Sequence, residues 1–362
     1  REDPTRPVTQ GMDAPDAVVN NNFAAVMDVA GFNYRPFKYK INYKKLPQRI
    51  VLGSETASTV SSRGVYKFPV ERKAMAKYDD HQASSYDVEH CGWSNLPEDD
   101  FIQHEDLPYC IGEFVWTGFD YLGEPTPYYT DWPSHSSLFG IIDLAGIPKD
   151  RFYLYRSHWN KTVRTLHILP HWTWPGREGE VTPVFVYTNY PTAELFINGK
   201  SYGKQSKNNS SLKNRYRLMW MDTKYEPGEV KVVAYDKNGK AVAEKVVRTA
   251  GKPHHIELVS NRNELTADGK DLAYVTVKVV DKDGNLCPTD NRQINFSVKG
   301  TGKYRAAANG DPTNLEQFHL PKMHAFNGML TAILQAGETA GEIVFTAKAN
   351  GVKAGNIRIQ TK

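Results

Sequence analysis

Short apolar runs separated by longer polar stretches mark the first part of the chain. Val26-Met27-Asp28-Val29-Ala30-Gly31-Phe32, Arg49-Ile50-Val51-Leu52-Gly53 and Tyr109-Cys110-Ile111-Gly112-Glu113-Phe114-Val115-Trp116 each read as a buried strand that runs into a loop. Helix-length segments lie between or just before them, at Asp16 to Val26 and around Arg72 to His81. This rhythm predicts a parallel sheet covered by helices over residues 1–160.

The period then shortens to two. Val181-Thr182-Pro183-Val184-Phe185-Val186-Tyr187-Thr188 alternates inward and outward positions. Glu194-Leu195-Phe196-Ile197-Asn198-Gly199-Lys200 predicts a strand closed by an Asn-Gly hairpin turn. Gly228 to Tyr235 is a further strand, followed by the turn Asp236-Lys237-Asn238-Gly239. Residues 161–250 are therefore expected to form an antiparallel β-sandwich. Residues 251–362 repeat the texture, with strands at Ala273 to Asp281 and Gly341 to Ala349 and a linker at Pro253. A second immunoglobulin-like sandwich follows from that pattern, with no sequence repeat relating the two.

Composition narrows the function classes. The chain has 362 residues, room for two to four domains at roughly 100–200 residues each. Its 45 Lys and Arg against 41 Asp and Glu leave a net charge of +4. That balance argues against a nucleic-acid partner, since no Lys/Arg cluster appears. The nearest basic stretch, Lys38 to Arg49, alternates with Tyr, Pro and Leu and reads as a solvated loop. No run of about 18 apolar residues is present, so no membrane span is expected. Cys91, Cys110 and Cys287 fit no zinc spacing. Three free thiols are expected in preference to a Cys91–Cys110 bridge. No metal and no cofactor are expected. The 7 Trp and 20 Tyr suit a sugar-binding cleft as well as a core. The chain opens Arg1-Glu2-Asp3-Pro4 without a Met, so a removed leader or a larger missing piece is expected.

In a parallel α/β barrel, chemistry sits just past the C-terminal strand ends. Asn33 and Tyr34 follow the first strand, Ser54-Glu55-Thr56 the second, and Trp116, Thr117 and Asp120 the third. Glu55 is the sharpest candidate, because retaining glycoside hydrolysis needs a rigidly held carboxylate as nucleophile. By position alone it could equally be a solvated loop glutamate or a helper of a helix start through Ser54 or Thr56. Asn33 and Tyr34 are either turn and packing residues or hydrogen-bond donors to that carboxylate. Trp116 is either barrel filling or the floor under a sugar ring. Asp120 is placed to hold a sugar hydroxyl. Glu113 lies inside its strand and reads as a buried structural partner. His167 and His171 flank Leu169-Pro170, which breaks a helix, and read as loop or packing residues.

These residues carry a resemblance. Leu52-Gly53-Ser54-Glu55-Thr56-Ala57-Ser58 resembles the nucleophile segment of glycoside hydrolase family 2, and Gly112-Glu113-Phe114-Val115-Trp116-Thr117-Gly118-Phe119-Asp120-Tyr121 resembles its eighth barrel strand. Asp3 to Thr9, Ser136 to Gly146, Lys149 to Tyr153, His171 to Gly176 and Glu194 to Gly199 are similar to further segments of that family, in order along the whole chain. The resemblance implies the C-terminal half of an (α/β)8 TIM barrel followed by two all-β sandwiches. It implies a retaining β-glycosidase with Glu55 as catalytic nucleophile. Tyr34 would hydrogen-bond it, Asn33 would lie beside it, and Trp116 would line the sugar subsite.

The family's acid/base, a Glu in an Asn-Glu pair, would precede Asp3, and the chain's only such pair is Asn263-Glu264 in the last section. The chain is therefore expected to be a fragment, inactive alone, whose partner is the N-terminal half of the same enzyme. A bacterial periplasmic or secreted location is expected with it. Family glucuronidases carry an Asn-x-Lys pair after the eighth strand. No Asn occurs between Trp116 and Asp150, which favours a β-galactoside, in an oligosaccharide or polysaccharide, over a glucuronide. The loop from Arg63 to Pro108 is long enough to shape the leaving-group side. A different class of reading makes the sandwiches a carbohydrate- or surface-binding module.

Overall fold

The computed structural model describes residues 3–362; Arg1 and Glu2, which begin the Met-less opening, lie outside the described residues. The first section contains β1 (Gly11–Met12), β2 (Ala30–Asn33), β3 (Val51–Thr56), β4 (Lys73–Ala74), β5 (Glu89–His90) and β6 (Cys110–Val115). Four of these form an all-parallel sheet in the order β1-β2-β3-β6. Met12, Ala30, Phe32, Val51 and Cys110 point to one face of it. They pack on Val19 of α1 (Pro15–Asn20) and Tyr39 of α2 (Tyr39–Tyr43). The barrel expected of residues 1–160 thus appears as a four-stranded parallel sheet, and no barrel closes among the described residues.

Two expected elements differ. The helix from Asp16 to Val26 is split, because Asn22 adopts a left-handed backbone (φ 65°), leaving α1 and one 3-10 turn at Ala24–Val26. The helix around Arg72 to His81 does not form. Met75 and His81 are left-handed (φ 55° and 54°). The amides of Lys73 and Met75 donate instead to the carbonyls of Val88 and His90, pairing β4 with β5. Ala74, Met75 and Tyr78 stand at helical spacing, but a helix this short is costly to nucleate and the pairing with β5 claims its amides instead. By contrast α3 (Pro97–Asp106) has the signals a helix start needs. Pro97 opens it, three acidic residues fill its first turn, and the Asp99 carboxylate accepts the Leu96 amide at 3.0 Å. The section ends with α4 (Asp150–Trp159).

The next strands are β7 (Leu166–Leu169), β8 (Val184–Thr188), β9 (Thr192–Ile197), β10 (Lys200–Ser206), β11 (Leu218–Trp220), β12 (Glu229–Tyr235) and β13 (Ala241–Arg248), with α5 (Leu212–Tyr216) between β10 and β11. They make two antiparallel sheets, β10-β9-β12-β13 and β11-β8-β7. Leu195, Ile197, Val230 and Val232 of one face Val184, Val186, Leu218 and Trp220 of the other. Asn198 and Gly199, both left-handed, turn β9 into β10 as the Asn-Gly signal predicts. In β8 every side chain is buried. Val184 and Val186 enter the sandwich core, while Phe185 and Tyr187 pack with Tyr86, Phe101, Leu154 and Tyr155 of the first section.

The last strands are β14 (His255–Ser260), β15 (Glu264–Leu265), β16 (Leu272–Val280), β17 (Gln293–Gly300), β18 (Gly302–Ala308), β19 (Lys322–His324), β20 (Met329–Ala336), β21 (Gly341–Lys348) and β22 (Gly355–Thr361). They form a second sandwich from sheets β14-β16-β20-β18 and β15-β22-β21-β17-β19. Its core alternates along each strand, as with Ala273, Val275, Val277 and Val279 on β16. All three cysteines are free and buried.

Buried polar links tie the sections together. Arg63 donates to the Asp143 carboxylate at 2.6 Å and to the Asn309 carbonyl of the last sandwich at 2.7 Å. Arg217, just before β11, pairs with Glu98 of α3, and both side chains are buried. Removing one partner of such a pair strands the other charge in the interior. Arg217→Met is therefore expected to destabilise the chain by about 3–5 kcal/mol. The double change Glu98→Gln with Arg217→Met should recover part of that loss. Urea unfolding of the three proteins checks both outcomes.

Candidate active site

The C-terminal ends of β2 and β3 meet at Asn33 and Glu55, which are register partners after a bulge in the ladder. Glu55 is the penultimate residue of β3 and half-buried, so its side chain is held by the sheet rather than by a mobile loop. Both carboxylate oxygens are engaged. Asn33 Nδ2 donates to Oε2 at 3.1 Å, and the Tyr34 hydroxyl donates to Oε1. Ser54 Oγ donates to Asn33 Oδ1 at 2.9 Å, which turns the amide nitrogen toward Glu55. Gly11 makes room for that side chain, since a Cβ there would sit 2.8 Å from Asn33 Oδ1.

Tyr34 reaches Glu55 through an unusual backbone. Tyr34 and Arg35 are both left-handed (φ 56° and 52°), as is Ala57 just beyond β3 (φ 44°). Non-glycine residues in this region carry strain that the surrounding structure must offset. Here the Tyr34 amide donates to the Glu55 carbonyl at 2.6 Å and Ser58 Oγ donates to the Tyr34 hydroxyl at 2.7 Å. Trp93 packs nearby, in one cluster with Trp116 and Tyr121. Burial, and then the Glu55 carboxylate, push the Tyr34 hydroxyl well above its ordinary range, so it stays a neutral donor.

Trp116 follows β6, with its amide bonded to the Thr56 carbonyl at 2.8 Å. Its indole donates to the Tyr121 hydroxyl at 3.2 Å, and that hydroxyl donates to Glu124 Oε2. Through the bond of the Trp116 amide to Thr56, the neighbour of Glu55, this Trp–Tyr–Glu chain starts at the same end of the sheet as the candidate nucleophile. Glu124 is exposed and left-handed (φ 48°) in a Gly-Glu-Pro turn.

Asp120 is a correction. It is buried, with Oδ1 accepting the Gly140 amide at 2.7 Å and Oδ2 paired with Lys149 at 2.6 Å. Both oxygens are used within the protein, so it fixes the loop after β6 and is not presented to a sugar. Glu113 points to the helix side, where Thr56 Oγ1 donates to it at 2.7 Å and His104 of α3 lies 3.7 Å away. Burial opposes protonation of His104, but its hydrogen bonds with Cys110 and Glu113 prevail and raise it to about 10. His167 stacks on Tyr153 and bonds Asp150, and His171 stacks on Trp174, so both are packing residues.

Glu55, Asn33 and Tyr34, each named from the sequence, are joined by hydrogen bonds, and Trp116 stands at the end of the neighbouring strand β6. Ser58 and Tyr121 lie inside segments already singled out. Trp93 and Glu124 were missed, and only their tertiary contacts mark them. Among the described residues no cluster of His, Cys, Asp and Glu could hold a metal ion.

Residues 256–358 match the family described as Glycoside hydrolase family 2 C-terminal domain 5, and residues 179–243 match a domain family of unknown function. The chain is 40% identical to "Beta-galactosidase BoGH2A" of Bacteroides ovatus over 99% of its own length and 42% of that protein. It is 36% identical to a "Putative beta-glucuronidase" of Formosa agariphila over 57% of its length and 20% of that protein. The crystal structure of a beta-glycosidase from Bacteroides vulgatus superposes with a TM-score of 0.86 at 29% identity, covering 99% of this chain and 47% of the other. The chain spans less than half the length of each of these relatives.

Burial raises Asp120 to about 6 against its ordinary 3.8, although Lys149 and the Gly140 amide work the other way. A carboxyl group raised on folding adds stability that is complete below its unfolded pKa and is lost as pH climbs through the folded one. Asp120→Asn abolishes that dependence. The urea midpoint of the variant relative to the unaltered chain should therefore rise between about pH 4 and pH 7. Unfolding curves at several pH values in that window measure it, and a flat difference would count against the assignment.

Proposed function

This chain belongs to glycoside hydrolase family 2, and from that premise we propose that it carries the nucleophile side of a retaining β-galactosidase. The observation that supports this reading is Glu55 itself. It is a carboxylate at the end of a parallel strand, with each oxygen hydrogen-bonded by the adjoining strand's terminal residues. Glu55 attacks the anomeric carbon and forms a covalent glycosyl-enzyme, while a second carboxyl group protonates the departing oxygen. The same second group then takes a proton from water, which releases the sugar with its configuration retained. Asn33 and Tyr34 hold the attacking oxygens in line, an advantage of pre-set geometry over a free side chain. Trp116, Tyr121 and Glu124 line the sugar side.

The acid/base group comes from outside this chain. Glu113 is sequestered on the helix side, and Asp120 is locked to Lys149. In this reading residues 1–160 are an arc of an (α/β)8 barrel, and residues 161–250 and 251–362 are its accessory sandwiches. β1 and β6 each lack an outer neighbour among the described residues, as strands at the ends of such an arc would. A β-glucuronide is the second reading, favoured by the likeness to the Formosa agariphila protein. The absence of Asn between Trp116 and Asp150 weighs against it.

In an enzyme with the complete barrel, Glu55→Gln is expected to lose several orders of magnitude in kcat on an aryl β-galactoside, because the covalent step disappears. Tyr34→Phe should lose about 10- to 100-fold, the worth of one hydrogen bond to a charged group. Activity of Glu55→Gln near that of the parent would sink the assignment. The purified 362-residue chain alone is expected to show no turnover of the same substrate. Normal turnover would mean that both carboxylates lie within it.

A further inference from the structure

Beside the candidate nucleophile lies a groove of about 520 Å³ whose lining includes Arg35, Phe37, Arg72, Trp93, Ser94 and Gln103. It is continuous with the site through two residues. Arg35 directly follows Tyr34, whose hydroxyl donates to Glu55, and Trp93 packs in one cluster with Trp116 and Tyr121. The two left-handed residues Tyr34 and Arg35 turn the chain sharply out of β2, and Pro36 then starts a 3-10 turn that ends at Lys38. The outcome is that Phe37 stands 68% exposed on the wall of the groove. The backbone therefore displays an apolar ring at the rim while aiming its neighbour's hydroxyl at the carboxylate.

We propose that this groove binds the leaving-group portion of the substrate, and that this portion is a neutral oligosaccharide. The proposal rests on Glu55 being the nucleophile. Phe37 and Trp93 offer two ring faces, the kind of surface on which the apolar face of a sugar stacks. Ser94 and Gln103 add polar groups for its hydroxyls. The groove's charges cancel in pairs. Arg35 is bound to the Asp13 carboxylate at 2.5 Å, and Arg72 to Asp99 at 2.8 Å. Paired guanidinium groups leave little attraction for an acidic glycan, which is why the occupant is neutral. Phe37 thereby becomes a specificity residue that acts on the second sugar and beyond, and not on the galactosyl unit.

Two measurements separate this proposal from the reading it rests on. Turnover of an aryl β-galactoside, with and without Glu55→Gln, tests the nucleophile alone. For the groove, the complete enzyme carrying Glu55→Gln is titrated calorimetrically with galactose and with a neutral oligosaccharide ending in a β-galactoside, each with and without Phe37→Ala. Phe37 is exposed in this chain, and equal thermal melting of the complete enzyme with and without Phe37→Ala is the control for an intact fold. Phe37→Ala is expected to weaken the oligosaccharide about 5-fold and to leave galactose unchanged. In the active enzyme it should raise KM for the oligosaccharide with kcat little altered. Equal oligosaccharide affinity in the two proteins, or an equal loss for galactose, would overturn the groove assignment whatever the turnover experiment gives.

Discussion

Two buried cations at the start of α4 decide where the strand-end loops lie. Lys149 donates to the carbonyls of Ser61 and Leu138 as well as to Asp120. Arg151 donates to the carbonyls of Thr59, Phe139 and Gly140. Burial of either charge without such acceptors would be prohibitive, so the loops must bring their carbonyls to these positions for the chain to fold. One loop leaves β3 just past Glu55, and the other follows the turn that holds Tyr121 and Glu124. A single helix start thus sets the separation of the two halves of the candidate site. Ser58, carried on the first of these loops, passes that order on to Tyr34 through its hydroxyl.

The strain at the site makes sense in that setting. Left-handed backbone at Tyr34, Arg35 and Ala57 is unfavourable locally, and it persists because β2, β3 and the pinned loop over-determine it. What it produces is aim. A tyrosine that left β2 on an extended path would carry its side chain to the sheet face opposite Asn33. With a positive φ it folds back onto the carboxylate of the next strand. The same reversal puts Phe37 on the groove wall. The aim of Tyr34 at Glu55 and the exposure of Phe37 therefore share one local distortion.

How much of this was legible in the sequence depends on the range of the interaction concerned. The sandwiches were readable because a two-residue apolar period and an Asn-Gly turn are local signals, and β12, β16 and the β9–β10 turn appear where those signals lie. The place of Glu55 was readable as a polar residue at the end of an apolar run, and it does stand at the end of β3. Asp120 was misread because its partner Lys149 is distant in sequence and an unpaired aspartate looks the same as a paired one. The helix around Arg72 to His81 was misread for a related reason. Its amides are claimed by β5, and nothing within the stretch announces that. Trp93 and Glu124 carry no local mark at all.

Strand β8 has a consequence for how the two segments can be exchanged. Val184 and Val186 belong to one core, and Phe185 and Tyr187 to another. The Tyr187 hydroxyl also binds Asp87 deep in the first section at 2.7 Å. A module whose central strand is shared in this way cannot be shuffled as a free cassette. Recombination that replaced this sandwich would have to carry matching changes at Tyr86, Asp87, Phe101 and Tyr155, or leave two hydrophobic surfaces and a buried carboxylate without counterparts. The two segments are therefore one packed unit across β8, whatever the boundary their strand patterns suggest.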